Sequence, residues 1–413
     1  MSGPARALRP LRMAGIGAAA AWALAHAPSA LAGGMSNFDV FGYRDASGMT
    51  VITSEAGLEQ AVAAGWLLSF GLLWDRIAME ATGASGAPGG HDHHLMKRAA
   101  DEFPEETEDN AIDAGNVEID ATSGASQRAS TEGGGLVQHR YQIDVGLARQ
   151  IGHGDKPHRL GGKASVSYED DYLSVTGIAD ASVELARRNA TLSGYAGFGW
   201  DRVEPVIPPP GEADKWPGTQ NRYLLGFGYS QVTGRRSVVS AGYGLSVQTG
   251  DLESPYRRSV VITTRFAENL PNLRVRHHGA LSWSFTPWRN WGLHHREGIY
   301  YDSWNYHAWI PETGLCWQFA PAFLLTLRHR HVSQDAAEFW RHHYDGLDGY
   351  RSGDFRLDGL QQDMAAVELS WSRFFGYRTL EIRGYFSRFQ QKSAVSGADP
   401  EGYTTGISTR WIW

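Results

Sequence analysis

Alternation of apolar and polar residues with a period of two recurs through most of this chain, and it leaves few folds open. Trp66, Leu68, Phe70, Leu72 and Trp74 share one parity of their segment, and Tyr141, Ile143, Val145 and Leu147 share one parity of theirs. The pattern returns in a dozen later stretches and runs to the last residue, where Tyr403, Ile407, Trp411 and Trp413 fall on one parity. A strand turns successive side chains to opposite faces, so each stretch reads as a strand with one apolar face. The opposite parity carries Arg140, Asp144, Lys163, Glu184, Arg222, Arg296 and Arg383, while almost no charge sits on the apolar parity. Period-two segments of roughly ten residues, separated by turn residues, are the signature of a transmembrane β-barrel. A soluble β-sandwich alternates as well.

Two further features favour the barrel. Arg6, Arg9 and Arg12 precede the short apolar run Met13–Ala25 and an A-x-A site at Ala30–Ala32. That order predicts a secretory signal peptide over 1–32, cleaved after Ala32, with a retained anchor as the alternative. The 15 Trp, 17 Tyr and 16 Phe, with 49 Gly, suit strands, turns and interfacial rings. Lipid offers backbone groups no partner, so a sheet that spans it must close. The aromatic end at Trp413 is then expected at the periplasmic interface, in a C-terminal strand that the barrel-insertion machinery reads. The expected location is the outer membrane of a Gram-negative bacterium, with outer-membrane lipid as a partner.

Fourteen strands are predicted, at about 65–79, 138–151, 160–170, 174–187, 190–203, 221–232, 237–249, 274–286, 291–302, 306–319, 322–334, 363–374, 378–391 and 402–413. With this count the long segments 80–137, 204–220, 250–273, 335–362 and 392–401 all fall on one side, as extracellular loops, and the short turns on the other. Ser259–Phe266 alternates too, but a membrane strand there would break the agreement, so it reads as part of an outer loop. Residues 33–64 are expected to form a periplasmic segment or partial plug, and 65–413 the barrel, with 80–137 a long, partly low-complexity outer loop.

Composition and motifs exclude more than they assign. A formal charge of -7 argues against a nucleic-acid partner. Cys316 stands alone, so neither a disulfide framework nor a paired-cysteine metal site is available. None of the usual hydrolase, metalloprotease or nucleotide-binding signatures occurs, and no catalytic residue or cofactor is expected. His91, Asp92, His93 and His94 offer imidazoles and a carboxylate in a loop, a zinc or copper site or else a solvated low-complexity stretch. Adjacent histidines elsewhere, such as His277–His278 and His294–His295, point to opposite faces of a strand and do not chelate one ion.

Several stretches resemble a family of Gram-negative outer-membrane proteins described only as a domain of unknown function. They include Asp75–Gly86, Arg188–Gly194, Thr249–Val260, Asn269–His277, Tyr300–His307, Leu327–Trp340 and Gly353–Leu360. The family's usual Asp-Pro-Tyr reads Ser254-Pro255-Tyr256 here. The resemblance implies a β-barrel and supplies no activity. Its motif residues Asp170, Asp171, Pro255, Tyr256, Arg257, Asp302, Trp304 and Gln334 are expected near the outer mouth, where they would shape a constriction or plug. Arg274, Arg276, Arg328, Arg330, Glu368 and Glu381 are expected to face the lumen along a solute path. The leading functional expectation is a non-catalytic channel or substrate-selective transporter for small polar solutes. The rival is a plugged barrel acting as scaffold for a periplasmic or redox partner.

Overall fold

The computed structural model describes residues 33–45, 49–79, 136–152, 158–206, 208, 212–375, 378–393 and 401–413. Its strands are β1 (Gly34–Asp45), β2 (Met49–Ala63), β3 (Trp66–Met79), β4 (Leu136–Ile151), β5 (His158–Glu169), β6 (Tyr172–Leu185), β7 (Ala190–Val203), β8 (Gly218–Gly234) and β9 (Ser237–Gly250). There follow β10 (Arg258–Val261), β11 (Thr264–Ala267), β12 (Leu273–Trp288), β13 (Trp291–Asp302), β14 (His307–Ala320), β15 (Phe323–Gln334), β16 (Leu360–Phe375), β17 (Arg378–Ser393) and β18 (Glu401–Ile412). All but β10 and β11 form one closed antiparallel barrel in which sequence neighbours pair and β1 closes on β18. The fourteen predicted strands are all present, but the barrel has sixteen.

The two extra strands correct the reading of residues 33–64. Gly34–Asp45 and Met49–Ala63 are wall strands, with β1 paired to β18 from Met35↔Ile412 through Asp45↔Gly402. Their alternation is blurred because this part of the inner face is apolar too. Tyr43, Met49, Val51 and Ile77 pack there with Met364 and Phe389 as one buried cluster. Adding a pair of strands leaves the parity of every later connection unchanged. Both described ends of the barrel and most short turns share one end, and 251–272, 303–306 and 335–359 leave from the other, the loop end, together with the β5–β6 turn at 170–171. The stretch around Ser259–Phe266 lies outside the barrel wall, as the separate β10–β11 hairpin.

Side-chain chemistry fixes which face is inside. Arg222 on β8 reaches across β7 to Asp201 Oδ1 (2.8 Å) and on to Ser174 Oγ on β6 (3.0 Å). It lies over Gly199, where a Cβ would sit 3.2 Å from the guanidinium, so the glycine makes the crossing possible. On the convex face Phe227 and Ile143 are 55% and 50% exposed, against 2% for Arg222. Such a wall is the inverse of a soluble protein's and suits a lipid solvent. Two aromatic girdles border it. Trp291–Trp317 and Phe319–Phe323 stack toward the turn end, at centroid distances of 5.3 and 5.6 Å. Phe198–Tyr223 and His277–Tyr301 meet toward the loop end, at 5.4 and 5.9 Å.

Candidate functional site

The loop end carries a folded cap. Gly250, at φ +112 where a Cβ would strike the Thr219 carbonyl, turns the chain out of β9 into 251–272. This segment and 335–359 then pair through their backbones. Tyr344 N donates to the Val260 carbonyl (2.9 Å), and Asn269 and Arg351 form an antiparallel bridge. Leu270, Trp304, Tyr306, Ala337, Trp340 and Leu357 form the buried apolar centre, so three loops share one small core.

Charged side chains tie that core to the rim. Asp302, fully buried, accepts from Arg274 Nε (2.7 Å), Tyr300 Oη (3.0 Å) and the Trp304 amide (2.9 Å). The Arg274 guanidinium lies 4.2 Å over the Trp304 ring. Tyr256 Oη donates to Asp171 Oδ2 (2.7 Å) in the β5–β6 turn, and Gln138 Nε2 donates to Asp171 Oδ1 (3.0 Å). Arg257 pairs with Asp354 at 2.7 Å, both buried. Gln334 Nε2 holds the Arg356 and Asp358 carbonyls at 2.9 and 2.8 Å. Asp358 accepts from Ser393 at the end of β17. The chain of contacts from Asp171 through Tyr256, Arg257, Asp354 and Asp358 to Ser393 therefore joins rim points on β5 and β17. By the shorter way round, β5-β4-β3-β2-β1-β18-β17, these are six steps apart in the sixteen-stranded ring. The cap spans the mouth. Beneath it lies a cavity of about 40 Å³, lined by Tyr300, Tyr306, Arg330, Gln334, Gln362 and Gln391 among others. That is room for about three waters.

At the heart of the cap Glu268 is fully enclosed. Its carboxylate accepts from Ser352 Oγ, the Ser254 amide (3.1 Å) and the Gly353 amide (3.2 Å). Burial raises its pKa above the ordinary glutamate value, against the opposing pull of Arg257 and these donors. Burial likewise raises Asp171, against the Tyr256 and Gln138 hydrogen bonds. A carboxyl whose pKa is raised in the folded cap stabilises it fully below the unfolded value, 4.5 for Glu268, and that contribution is lost as pH rises through the folded value. Acidification from neutral pH is therefore expected to tighten the cap. Amide exchange at Gly353 and Ser254, corrected for intrinsic rate, should slow toward acid, and Glu268→Gln should flatten the profile. Exchange that quickens toward acid would contradict this account.

Most of the residues expected at the outer mouth lie in or beside this network, and its centre, Glu268, was not among them. Asp171, Pro255, Tyr256, Arg257, Asp302, Trp304 and Gln334 all lie in the cap or at its rim, with Asp170 exposed beside Asp171. Most of them hold the cap together. Arg274 is a clamp on Asp302, and Arg276 sits opposite Asp302 in the β12–β13 register. The other lumen candidates are spread over three adjacent strands, β15 to β17. Arg328 faces Glu312 at 3.6 Å, Arg330 lines the cavity, Glu368 accepts from Ser370 Oγ, and Glu381 pairs with Arg383 at 3.1 Å. The six do not converge on one point. Asp354 lay within the motif stretch Gly353–Leu360 but was not singled out, and Glu268 carried no recognisable signal, because an isolated acid in a loop looks the same whether solvated or buried. His91, Asp92, His93 and His94, with the rest of 80–135, lie outside the described residues, as does the predicted signal peptide. Among the described residues no group of three or more His, Cys, Asp or Glu is arranged to hold a metal ion.

A model for a family of proteins of unknown function, DUF3570, matches residues 11–406. The chain belongs to this family. The motifs spread from Asp75 to Leu360 fall within that match, in agreement with the resemblance they carried. Among solved structures, the siderophore receptor PirA from Pseudomonas aeruginosa aligns at 8% identity and a TM-score of 0.38, over 86% of this chain and 56% of the receptor. The outer membrane protein opdK from the same organism aligns at 9% and 0.40, over 92% of this chain and 99% of opdK. A bacterial polysaccharide outer membrane secretin aligns at 8% and 0.44, over 91% and 97%. The chain thus spans just over half the length of the siderophore receptor. No curated protein sequence matches it.

Proposed function

We propose that this DUF3570 protein is an outer-membrane channel for small polar solutes, exported by a cleaved signal peptide, whose mouth is narrowed by the loop cap. One observation carries the reading: a cap tethered across the mouth stands over a lumen lined with charge. Arg328–Glu312 and Arg383–Glu381 place partly accessible cations and anions together on the inner wall. Barrels of about sixteen strands are wide enough for an aqueous path. A lumen that merely filled itself would favour apolar packing over paired ions, whose desolvation is costly. Diffusion is the mechanism, with no catalytic step, and the cap sets which solutes pass. The barrel reaches its lipid surroundings through insertion machinery that recognises the C-terminal strand.

The apolar cluster of Tyr43, Met49, Val51, Ile77, Met364 and Phe389 favours a second reading, a filled barrel serving as a scaffold for a periplasmic partner. Conductance in a planar bilayer separates the two. The intact chain is expected to give small discrete steps, and a variant with 338–353 replaced by a short Gly-Ser link steps several-fold larger. A folded, inserted barrel that stays silent in both forms would leave the scaffold.

A further inference from the structure

One sector of the outer wall breaks the rule the rest obeys. Between the girdles, the outward positions of β4 to β9 are residues such as Ile143, Val145, Val166, Val175, Ala196 and Leu225. On β13 to β16 the same band carries His295, Glu297, Thr313, His329, His331 and Asp363. Register joins them into one strip, with His295 opposite Thr313, Thr313 opposite His329, and His331 opposite Asp363. Glu297 accepts from Trp309 Nε1 (2.7 Å) and meets His295 Nε2 (3.0 Å). Asp363 Oδ1 meets His331 Nδ1 (2.9 Å) and His329 Nε2 (3.4 Å).

The strip is deep on β13 and approaches the loop end on β16, where Asp363 is the second outward residue of its strand. Along β13 the outward series is Trp291, Leu293, His295, Glu297, Ile299 and Tyr301, so the acid and the imidazole are its two middle members. A rise of about 3.4 Å per residue at a tilt of ~40° puts about 26 Å between the terminal aromatics, close to the ~25 Å apolar band of such barrels. Yet the His329 and Asp363 side chains are 62% and 60% exposed, and Glu297 is 40% exposed. Glu297, at the middle of β13, and the second ring nitrogen that the internal bonds leave on His329 meet a surround of acyl chains that cannot satisfy them.

We infer that this strip is the contact surface for a second copy of the same chain. The inference rests on the membrane reading above. The occupant follows from the chemistry of the patch. An isologous contact sets one surface against itself, so it must be self-complementary. This patch carries imidazoles and carboxylates side by side, and a second copy brings carboxylates to its imidazoles and imidazoles to its carboxylates. Ile299 and Trp309, 63% and 50% exposed, supply an apolar surround.

The test uses the full-length chain in its native membrane, with a benzophenone amino acid in place of Val367 at the patch edge. Val175, on the far wall, takes the same substitution as control. Irradiation is expected to give an adduct of twice the chain mass from position 367, at least tenfold above that from 175, with mass spectrometry finding only this chain in it. Adding Glu297→Leu and Asp363→Leu should lower the adduct at least tenfold while heat-dependent gel migration still reports a folded barrel. Equal yields at both positions, no self-adduct, or an adduct with another protein overturns the inference. A chain that does not fractionate with the outer membrane overturns the reading beneath it, and the inference falls too.

Discussion

Deleting residues 33–63 should abolish barrel formation outright. The deletion removes β1 and β2, which pair with each other and join β3 to β18. What remains has fourteen strands, an even number, and would fold if 33–64 were a detachable plug. The structure argues otherwise. The register from Met35↔Ile412 to Asp45↔Gly402 on one side, and from Met49↔Met79 to Ala63↔Trp66 on the other, would be lost, exposing two long edges at once. Each unpaired backbone group in lipid costs several kcal/mol. Closing β3 directly onto β18 would require every strand to change tilt and stagger together. It would also dismantle the cluster around Tyr43, whose ring stacks on Phe389 at 6.1 Å. Heat-dependent gel migration in lipid or detergent is the measurement. Wild-type protein should show a folded band and the deletion none, whereas a folded band from the deletion would mean that β1 and β2 are dispensable.

The same two strands show where legibility ended. Alternation revealed the strands whose inner face is polar and whose outer face is apolar, which is why β3 to β9 and β12 to β18 were predictable within a few residues. In β1, Phe38 and Val40 face out while Phe41 and Tyr43 face in, and in β2 Val51 sits beside Ile52. Where the lumen packs on itself instead of meeting water, both parities turn apolar and the period disappears. The cap was legible only as a list of motif residues near the mouth. Its assembly depends on contacts such as Ser352–Glu268, 84 residues apart, which no local pattern encodes. The outer-wall strip had a visible cue in His329-x-His331 and in His295-x-Glu297, polar pairs sharing the apolar parity. It passed unremarked because each strand, taken alone, shows only a minor exception.

Asp302→Ala should release the cap while leaving the barrel folded. Asp302 is the one group that meets the Arg274 guanidinium, the Tyr300 hydroxyl and the amides of both Trp304 and Tyr306. Without it, a largely buried arginine loses its carboxylate and two enclosed amides lose their acceptor. Breaking a buried ion pair by removing one partner costs about 3–5 kcal/mol. The cost should fall on cap opening, since Asp302 ends β13 and the wall pairing of β13 with β12 and β14 needs only the backbone. Cap opening should therefore become more frequent by about 100- to 5,000-fold. The amides of Ala337 and Glu338, which donate to the Leu357 and Trp304 carbonyls, report that opening away from the mutated site. Their hydrogen exchange should accelerate accordingly, while amides in the centre of β8 keep wild-type rates. Arg388→Ala is the matched comparison. It breaks the exposed pair with Glu401, and water screens pairs of that kind so strongly that they contribute little, so cap exchange should not change. Unchanged protection at Ala337 and Glu338 in Asp302→Ala would mean that the apolar centre alone holds the loops, and the charged tethers would lose their place in the account of the mouth. Asp302→Asn refines the reading, because it keeps an acceptor for the amides but not the charge for Arg274. An intermediate rate would assign the remainder to the ion pair.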